Sequence, residues 1–470
     1  MKASGSPSDS RLPDYITSAK PTPVERRVPW YRSTAPAYAG IFLWFVFWQD
    51  VACAEAPGGT LSQGLPWALV CLGIAALACH FLFYLVPGLL GMKTGLPLYI
   101  VGTSIFGAQG GFILPGFLMG LLQFGWLGVN IYFSALAVSD LVPVNARFIM
   151  VLWGGLAAFI GLKGISYVAK VATYLPSIPF AVLIVLGAKT ISGALQFDPT
   201  AVVAAQQAQA GLGPGPLSVF GVLGAVLTYV VGFFATAGAA GVDFGMNNRS
   251  ARDVQLGGLV GIGLAAIYAG ALSLVTVAGV YGSQSLCAAA LAAGGSFRTL
   301  DLIPLVLGEA HGKWVKLVLA IAAFPPACFS AFIAANSFKT TLPRVSPVVS
   351  VGIGAGVSIL LALSGWAGRA IIVFQVIGAS FGPICGAMLV DYLLAGRRWD
   401  GPRAGFNPAG WVAWFAGFIV GILPILKVYT VPAAPMAAFL VGAAVYWGAA
   451  KAGWQSISIP HPGTHDDAAK

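Results

Sequence analysis

The stretch YAGIFLWFVFWQDVACAEA, residues 38–56, followed at once by Pro57-Gly58-Gly59, is where the reading of this chain begins. Its first eleven residues are apolar, and in a helix that rises about 1.5 Å per residue they carry the chain into a bilayer core about 30 Å thick. Gln49 and Asp50 then fall roughly 18 Å in, near the midplane, and Glu55 follows close to the far end. An ionisable group at that depth is costly and calls for an explanation. A polar patch ahead of Pro-Gly-Gly is the pattern of a discontinuous helix, whose freed backbone groups line a cavity. Asp50 reads as a functional group, or else as the partner of a Lys or Arg in assembly. Glu55 reads either as part of the same site or as a side chain reaching the interface.

The rest of the chain has the same character. Charged residues make up 9% of the 470 and hydrophobic ones 58%, with a mean hydropathy of +0.85. Soluble proteins carry about 25% charged residues, so most of this surface faces lipid. Apolar runs recur at 67–90, 112–138, 148–162, 171–188 and 217–241, then at 256–280, 314–335, 348–363, 370–394, 411–426 and 436–450. With 38–56 they predict an all-α membrane protein of about twelve transmembrane helices. The fourth, ninth, eleventh and twelfth runs are short. An even count puts both termini on one side, and the positive-inside rule makes that side cytoplasmic. Arg26, Arg27 and Arg32 before the first span, and Arg397, Arg398 and Arg403 after the tenth, weigh most. The net charge of +10 is thereby explained without nucleic acid.

The six cysteines are scattered and suggest neither a disulfide framework nor a zinc site. The four histidines (80, 311, 461 and 465) are too far apart for the polar cluster that a membrane-embedded enzyme would need. No phosphate-binding loop or soluble catalytic domain stands out. No signal peptide is read at the polar N-terminus, and the polar tail after Trp454 is expected to be disordered.

Further candidates sit on other spans. In the third, Gln123, Trp126 and Asn130 share the run QFGWLGVN; Trp126 and Asn130 are one turn apart and so face the same way. An indole beside a carboxamide suits a flat heterocycle, although such residues also serve helix packing. In the sixth, Gly232-Phe233-Phe234 and Gly238 suggest a second broken helix, with close packing as the plainer alternative. In the eighth, Pro325-Pro326 removes two backbone donors and predicts free carbonyls near 320–322, or simply a kink. Interruptions in the first and sixth spans fit a five-plus-five inverted repeat that holds its substrate between the unwound segments.

The chain resembles the nucleobase–cation symporter-1 family of cytosine and purine permeases and of hydantoin and allantoin transporters. The resemblance rests on Gly378-Ala379-Ser380-Phe381-Gly382-Pro383, Gly386, Asp391-Tyr392 and Arg397-Arg398. It is extended by Gly58-Gly59-Thr60-Leu61, Lys93-Thr94-Gly95-Leu96, Phe106-Gly107, Gly125-Trp126-Leu127-Gly128 and Asn407 with Trp411. It covers most of residues 38–451. It implies a LeuT-type 5+5 repeat plus two C-terminal helices, importing a planar nitrogen heterocycle with a cation. The divisions are then an N-terminal tail (1–37), a first repeat (38–190), an external loop (191–216), a second repeat (217–396), two further spans (397–450) and a C-terminal tail (451–470).

By that resemblance Trp126 is the stacking aromatic, Asn130 and Gln123 supply amides, Phe234 with Phe233 is the sixth-span aromatic, and Ser330 takes the place of a substrate-binding Asn. Gln49 joins this set as the polar neighbour of Asp50. Phe324 and Pro325 stand where sodium-binding hydroxyls are expected. The reading therefore leans to proton coupling through Asp50, with Glu55 as a second acid, and leaves sodium open. No cofactor, catalytic residue or resident metal is expected, and one chain should enclose a complete site in the cell membrane. An amino-acid or amine carrier on the same fold, a channel and a membrane-embedded enzyme are the alternatives.

Overall fold

The computed structural model describes residues 12–163, 174–210 and 215–461. Eight helices in it are long and apolar enough to cross a bilayer: Leu65–Thr94, Phe112–Ser139, Ala146–Lys163, Ser177–Ala194, Val219–Ala239, Ala251–Gly282, Glu309–Thr341 and Ala370–Leu394. The shorter apolar helices Thr34–Leu43, Pro347–Leu363 and Pro408–Ile422 take the first, ninth and eleventh places. Ala434–Lys451 completes twelve spans among the described residues. The ninth, eleventh and twelfth spans each start with proline at the first or second position, where its missing N–H costs nothing. The expected start of the fifth span at 171–173 lies outside the described residues, and the described helix opens at Ser177.

The three expected interruptions fare differently. The first is real but misplaced. The helix stops at Trp44, whose backbone is extended (ψ 126°), resumes for one turn over Phe45–Trp48 and then gives way to turns. The Pro-Gly-Gly that follows makes a tight return: a Cβ on Gly59 would meet Ala52 O at 2.3 Å, and its φ of +53° already favours glycine. In the sixth span the expectation is corrected. Val219–Ala239 is continuous through Phe233 and Phe234, and the bend comes later, at Ala240 before the short helix Gly241–Gly245. Gly232 and Gly238 are there for close packing, since added Cβ atoms would come within 2.7 Å of Phe374 O and 2.8 Å of Phe83 Cβ. The eighth span is corrected too. It runs unbroken for 33 residues with Pro325 and Pro326 inside. Two lost backbone bonds do not break a helix whose flanks are packed on both sides of the prolines.

The second, third and seventh spans each contain a π-turn, Cys79–Tyr84, Phe112–Leu118 and Leu259–Leu264, and those of the second and seventh, mates under the 5+5 scheme, lie against each other. A Cβ on Gly258 would sit 2.3 Å from Tyr84 Cε1, so only glycine admits the approach.

Packing divides the molecule into two bodies. One core joins buried residues of the first, second, fifth, sixth, seventh and tenth to twelfth spans, with Leu319 and Ala323 of the eighth. A second joins Leu127, Ile131, Ala157, Cys328, Ala331 and Val351 of the third, fourth, eighth and ninth. The third span turns a face to each: Trp126, Val129 and Phe133 toward the first core, Leu127, Ile131 and Ala135 toward the second. Because lipid tails are as apolar as these side chains, the bodies are held by close packing and internal hydrogen bonds.

The residues after the tenth span prove to be structural. Asp391 accepts from Arg403 Nη2 (3.3 Å), Tyr446 OH (2.6 Å) and Ser104 Oγ (2.8 Å). Asn407 Nδ2 donates to Ile105 O at 2.6 Å and Trp411 Nε1 to Phe106 O at 3.1 Å. These bonds tie the loop between the second and third spans to the end of the tenth. The C-terminal segment is ordered here, against expectation. Ile459 N donates to Pro402 O (2.7 Å) and Ser456 N to Asn407 Oδ1 (3.0 Å); the tail's last residues, 462–470, lie outside the described residues. The expected external loop likewise contains a helix, Pro199–Ala210, although 211–214 are outside the description.

Candidate substrate site

A helix that stops inside a membrane leaves carbonyls without partners, and each must be satisfied by something other than water. Around the first span, six of them find partners in side chains or in distant backbone. Leu43 O accepts from the Trp48 indole (3.0 Å), and Val46 O from Tyr229 OH (3.0 Å), which also lies against Phe47 O. Trp48 O accepts from Ser273 Oγ, Gln49 O from Thr299 N (3.0 Å) and Val51 O from Thr60 Oγ1 (2.9 Å). The donors come from the first, sixth and seventh spans and from the segments after the first and the seventh. The unwound conformation is therefore held by tertiary partners rather than by local propensity.

Beside this stretch four aromatic side chains from four spans meet. Trp126 of the third lies 5.7 Å from Trp44 of the first, 5.0 Å edge-to-face from Phe233 of the sixth and 5.2 Å from Phe374 of the tenth. Phe233 and Phe374 also touch, at 5.3 Å and 86°. The Trp126 indole N–H is already committed to Thr236 Oγ1 at 3.2 Å. The Trp44 indole N–H is buried and has no partner among the described residues. A buried cluster of rings with one free donor can take a flat molecule between them and hold one acceptor on its edge.

Sequence reasoning found part of this. Trp126 and Phe233 are brought together. Phe234 is turned away, stacked on Phe42 at 5.5 Å and near Tyr38 at 5.7 Å. Asn130 is one turn from Trp126, but its amide is engaged elsewhere: Nδ2 donates to Ala323 O (2.8 Å), and Oδ1 accepts from Trp153 Nε1 (3.2 Å) and Ser134 Oγ (3.3 Å). That knot joins the third, fourth and eighth spans, and it draws on a carbonyl one residue beyond the predicted 320–322. Gln123 is buried along its own helix with Nε2 3.6 Å from Met119 Sδ. Ser330 is buried in the eighth span, apart from the rings, and Gln49 is buried with its amide nitrogen unpartnered among the described residues. Phe324 packs edge-on against Trp153 of the fourth span at 5.0 Å. Trp44, Phe374 and Thr236 were missed. Only Trp44 carried a signal, standing one helical turn before Trp48.

Asp50 has a partner. Arg298 Nε lies 2.8 Å from its Oδ1, close enough for an ion pair but not aligned as a hydrogen bond. The carboxylate is buried and the arginine 40% exposed. Glu55 is exposed on the turn beyond. An open cleft of about 490 Å³ lies elsewhere, between Arg398, Asp400, Arg403 and Gln455, and belongs to the loop packing after the tenth span.

No protein-family model matches the chain. Cytosine permease from Escherichia coli K12 is 25% identical over 356 residues, covering 73% of this chain and 74% of the permease. Among solved structures, Mhp1, a nucleobase-cation-symport-1 family transporter in a closed conformation with bromovinylhydantoin bound, aligns with a TM-score of 0.63. It is 17% identical and the match covers 94% of this chain and 95% of Mhp1. A Na⁺-coupled sialic acid symporter aligns at 0.60 with 13% identity, covering 95% of this chain and 93% of that one. These likenesses fix the fold, and the relatives are transporters rather than enzymes. The chain is a multi-pass secondary transporter, similar in sequence to the cytosine permeases and in fold to the nucleobase–cation symporter-1 family.

Proposed function

We propose that this transporter imports a neutral planar nitrogen heterocycle, of the nucleobase kind, together with a cation. The observation that carries this reading is the ring cluster of Trp44, Trp126, Phe233 and Phe374 beside the discontinuity of the first span, with the Trp44 N–H free to meet a carbonyl or ring nitrogen. A zwitterionic amino acid would instead ask for charged partners among these rings. In this reading the coupling ion is a proton carried by Asp50, and its arrival weakens the pair with Arg298. Glu55, exposed on the turn beyond, stays outside that exchange. Both termini are cytoplasmic, the membrane is the cell membrane, and one chain works alone.

Uptake of labelled cytosine, challenged with purines, pyrimidines, hydantoins and amino acids, tests the substrate. Competition by amino acids alone would replace this reading with that of an amino-acid carrier. Removing sodium, and separately collapsing the proton gradient, tests the ion. D50N should abolish pH-driven accumulation while leaving substrate exchange across the membrane. PH-driven uptake that survives D50N sinks the assignment of the proton.

A further inference from the structure

A loop is fastened to the first span at Gln49 and Asp50, five and six residues beyond Trp44 of the ring cluster, and one of its side chains also reaches the third span. Arg298 precedes the helix Thr299–Leu307 that follows the seventh span. It pairs with Asp50 of the first span at 2.8 Å and lies over the ring of Phe133 of the third span at 5.5 Å. Phe133 is seven residues beyond Trp126, about 10 Å further along the same helix. Around the arginine the loop is fastened to the non-helical part of the first span. Thr299 N donates to Gln49 O at 3.0 Å, and Thr299 Oγ1 meets Ser273 Oγ at 2.7 Å. Cys53 Sγ lies 3.9 Å from Phe297 O. Further out, Gln206 holds Gly58 N (2.7 Å) and Tyr281 OH (2.9 Å), while the Tyr281 ring stacks on Phe297 at 4.1 Å.

We infer that Arg298 is a latch: a positioning residue that acts through Asp50 to hold the loop across the outer side of the ring cluster, so that outward opening requires it to release Asp50 and Phe133. This rests on the transporter reading above and on the side assigned to the termini. The loop runs directly into the eighth span, where Gly312 packs on Pro304, and its backbone bonds tie it to the first span. The arginine adds a contact with the third span, at Phe133. The remaining titratable groups that face the pair are Asp301, held by Ser296 Oγ at 2.6 Å, with Cys53 and Tyr229. With 40% of its side chain exposed, Arg298 can turn to water on release, while Asp50 is left buried, so release costs more than the loss of an exposed pair.

Cys53 is a native reporter, half-buried beneath Phe297; Cys287 is the other cysteine that is not buried, and C287S removes it. The test is the rate at which a membrane-impermeant maleimide labels Cys53 from outside, in right-side-out vesicles, in the C287S background. R298Q and D50N should each raise that rate about tenfold, a shift of about 1.4 kcal/mol toward the open form. R298K, which keeps the charge but not the planar group over Phe133, should fall between. A wild-type rate in R298Q, or labelling confined to inside-out vesicles, overturns the latch. The readout needs no substrate. Failure of cytosine uptake with accelerated labelling in R298Q would discard the substrate and keep the latch, and the converse result would do the reverse.

Discussion

The unwound stretch of the first span depends on one hydroxyl more than on any residue within it. Tyr229 is 4% exposed; its OH lies 3.0 Å from Val46 O and also contacts Phe47 O. Y229F removes one oxygen and leaves the ring contacts with Phe47 (6.1 Å) and Phe374 (5.3 Å). A hydroxyl has a single proton, so the loss amounts to one hydrogen bond shared between two carbonyls. Leaving a buried acceptor unmet costs about 1–3 kcal/mol. That corresponds to about a fivefold to 150-fold change in an equilibrium constant. The rate at which buried Cys79 and Cys385 react with a thiol dye on heating reports unfolding of this core. Y229F should accelerate it by at least the lower figure. Y31F, at a position 57% exposed, should change stability by less than about 0.5 kcal/mol. If Y229F unfolds no faster than the parent, water supplies the carbonyls. The discontinuity is then wet, and the account of it as a dry, tertiary-capped break fails.

Three further substitutions separate ligand roles from structural ones. W126A removes a ring with three aromatic neighbours, each contact worth about 0.5–1.5 kcal/mol, and should raise the KM for uptake at least about tenfold; W126F should fall between, and T236V should reproduce the part due to the lost N–H bond. N130A should behave oppositely, leaving Ala323 O and the Trp153 N–H unmet, destabilising by about 1–3 kcal/mol in the thiol-exposure assay while KM holds. G354A puts a Cβ 1.8 Å from Phe124 Cζ, inside the ring, and should cost upward of about 3 kcal/mol, seen as loss of monodisperse protein and partly restored by F124L.

The spans were legible because hydropathy is a property of each segment alone. What failed depended on partners distant in sequence. Trp44, where the first helix breaks, lies in a run of good membrane-helix residues, and what holds it open comes from Tyr229, Ser273 and Thr299. Pro325-Pro326 is the loudest local signal in the chain, yet its helix continues, because the neighbouring spans hold both flanks. Phe233 and Phe234 differ by 100° around one helix, and only the rotation of that helix against its neighbours decides which meets Trp126. Asp50 was read with an ion pair as its structural alternative, but its partner lies 248 positions away in a loop that hydropathy passes over.

The distribution of contacts between and within the two bodies bears on how such a molecule moves. Within a body the ties are redundant. Asn130 makes three bonds among the third, fourth and eighth spans, and Asp391 accepts three around the tenth. Across the seam, the ties seen at the site are ring contacts on Trp126, its N–H bond to Thr236 and the half-exposed Arg298. At about 0.5–1.5 kcal/mol for each ring pair and about 1 for the hydrogen bond, these ring and polar ties amount to a few kcal/mol, and the pair with buried Asp50 adds to them. A ligand shifts a conformational equilibrium only by its differential affinity for the two states. A micromolar ligand carries about 8 kcal/mol in total, so a modest fraction of that, realised at Trp126 and Phe233, suffices to exchange one closed seam for another. The same substrate could not unpick the Asn130 or Asp391 knots, which is why the bodies can move as units and the rings between them can serve as the site.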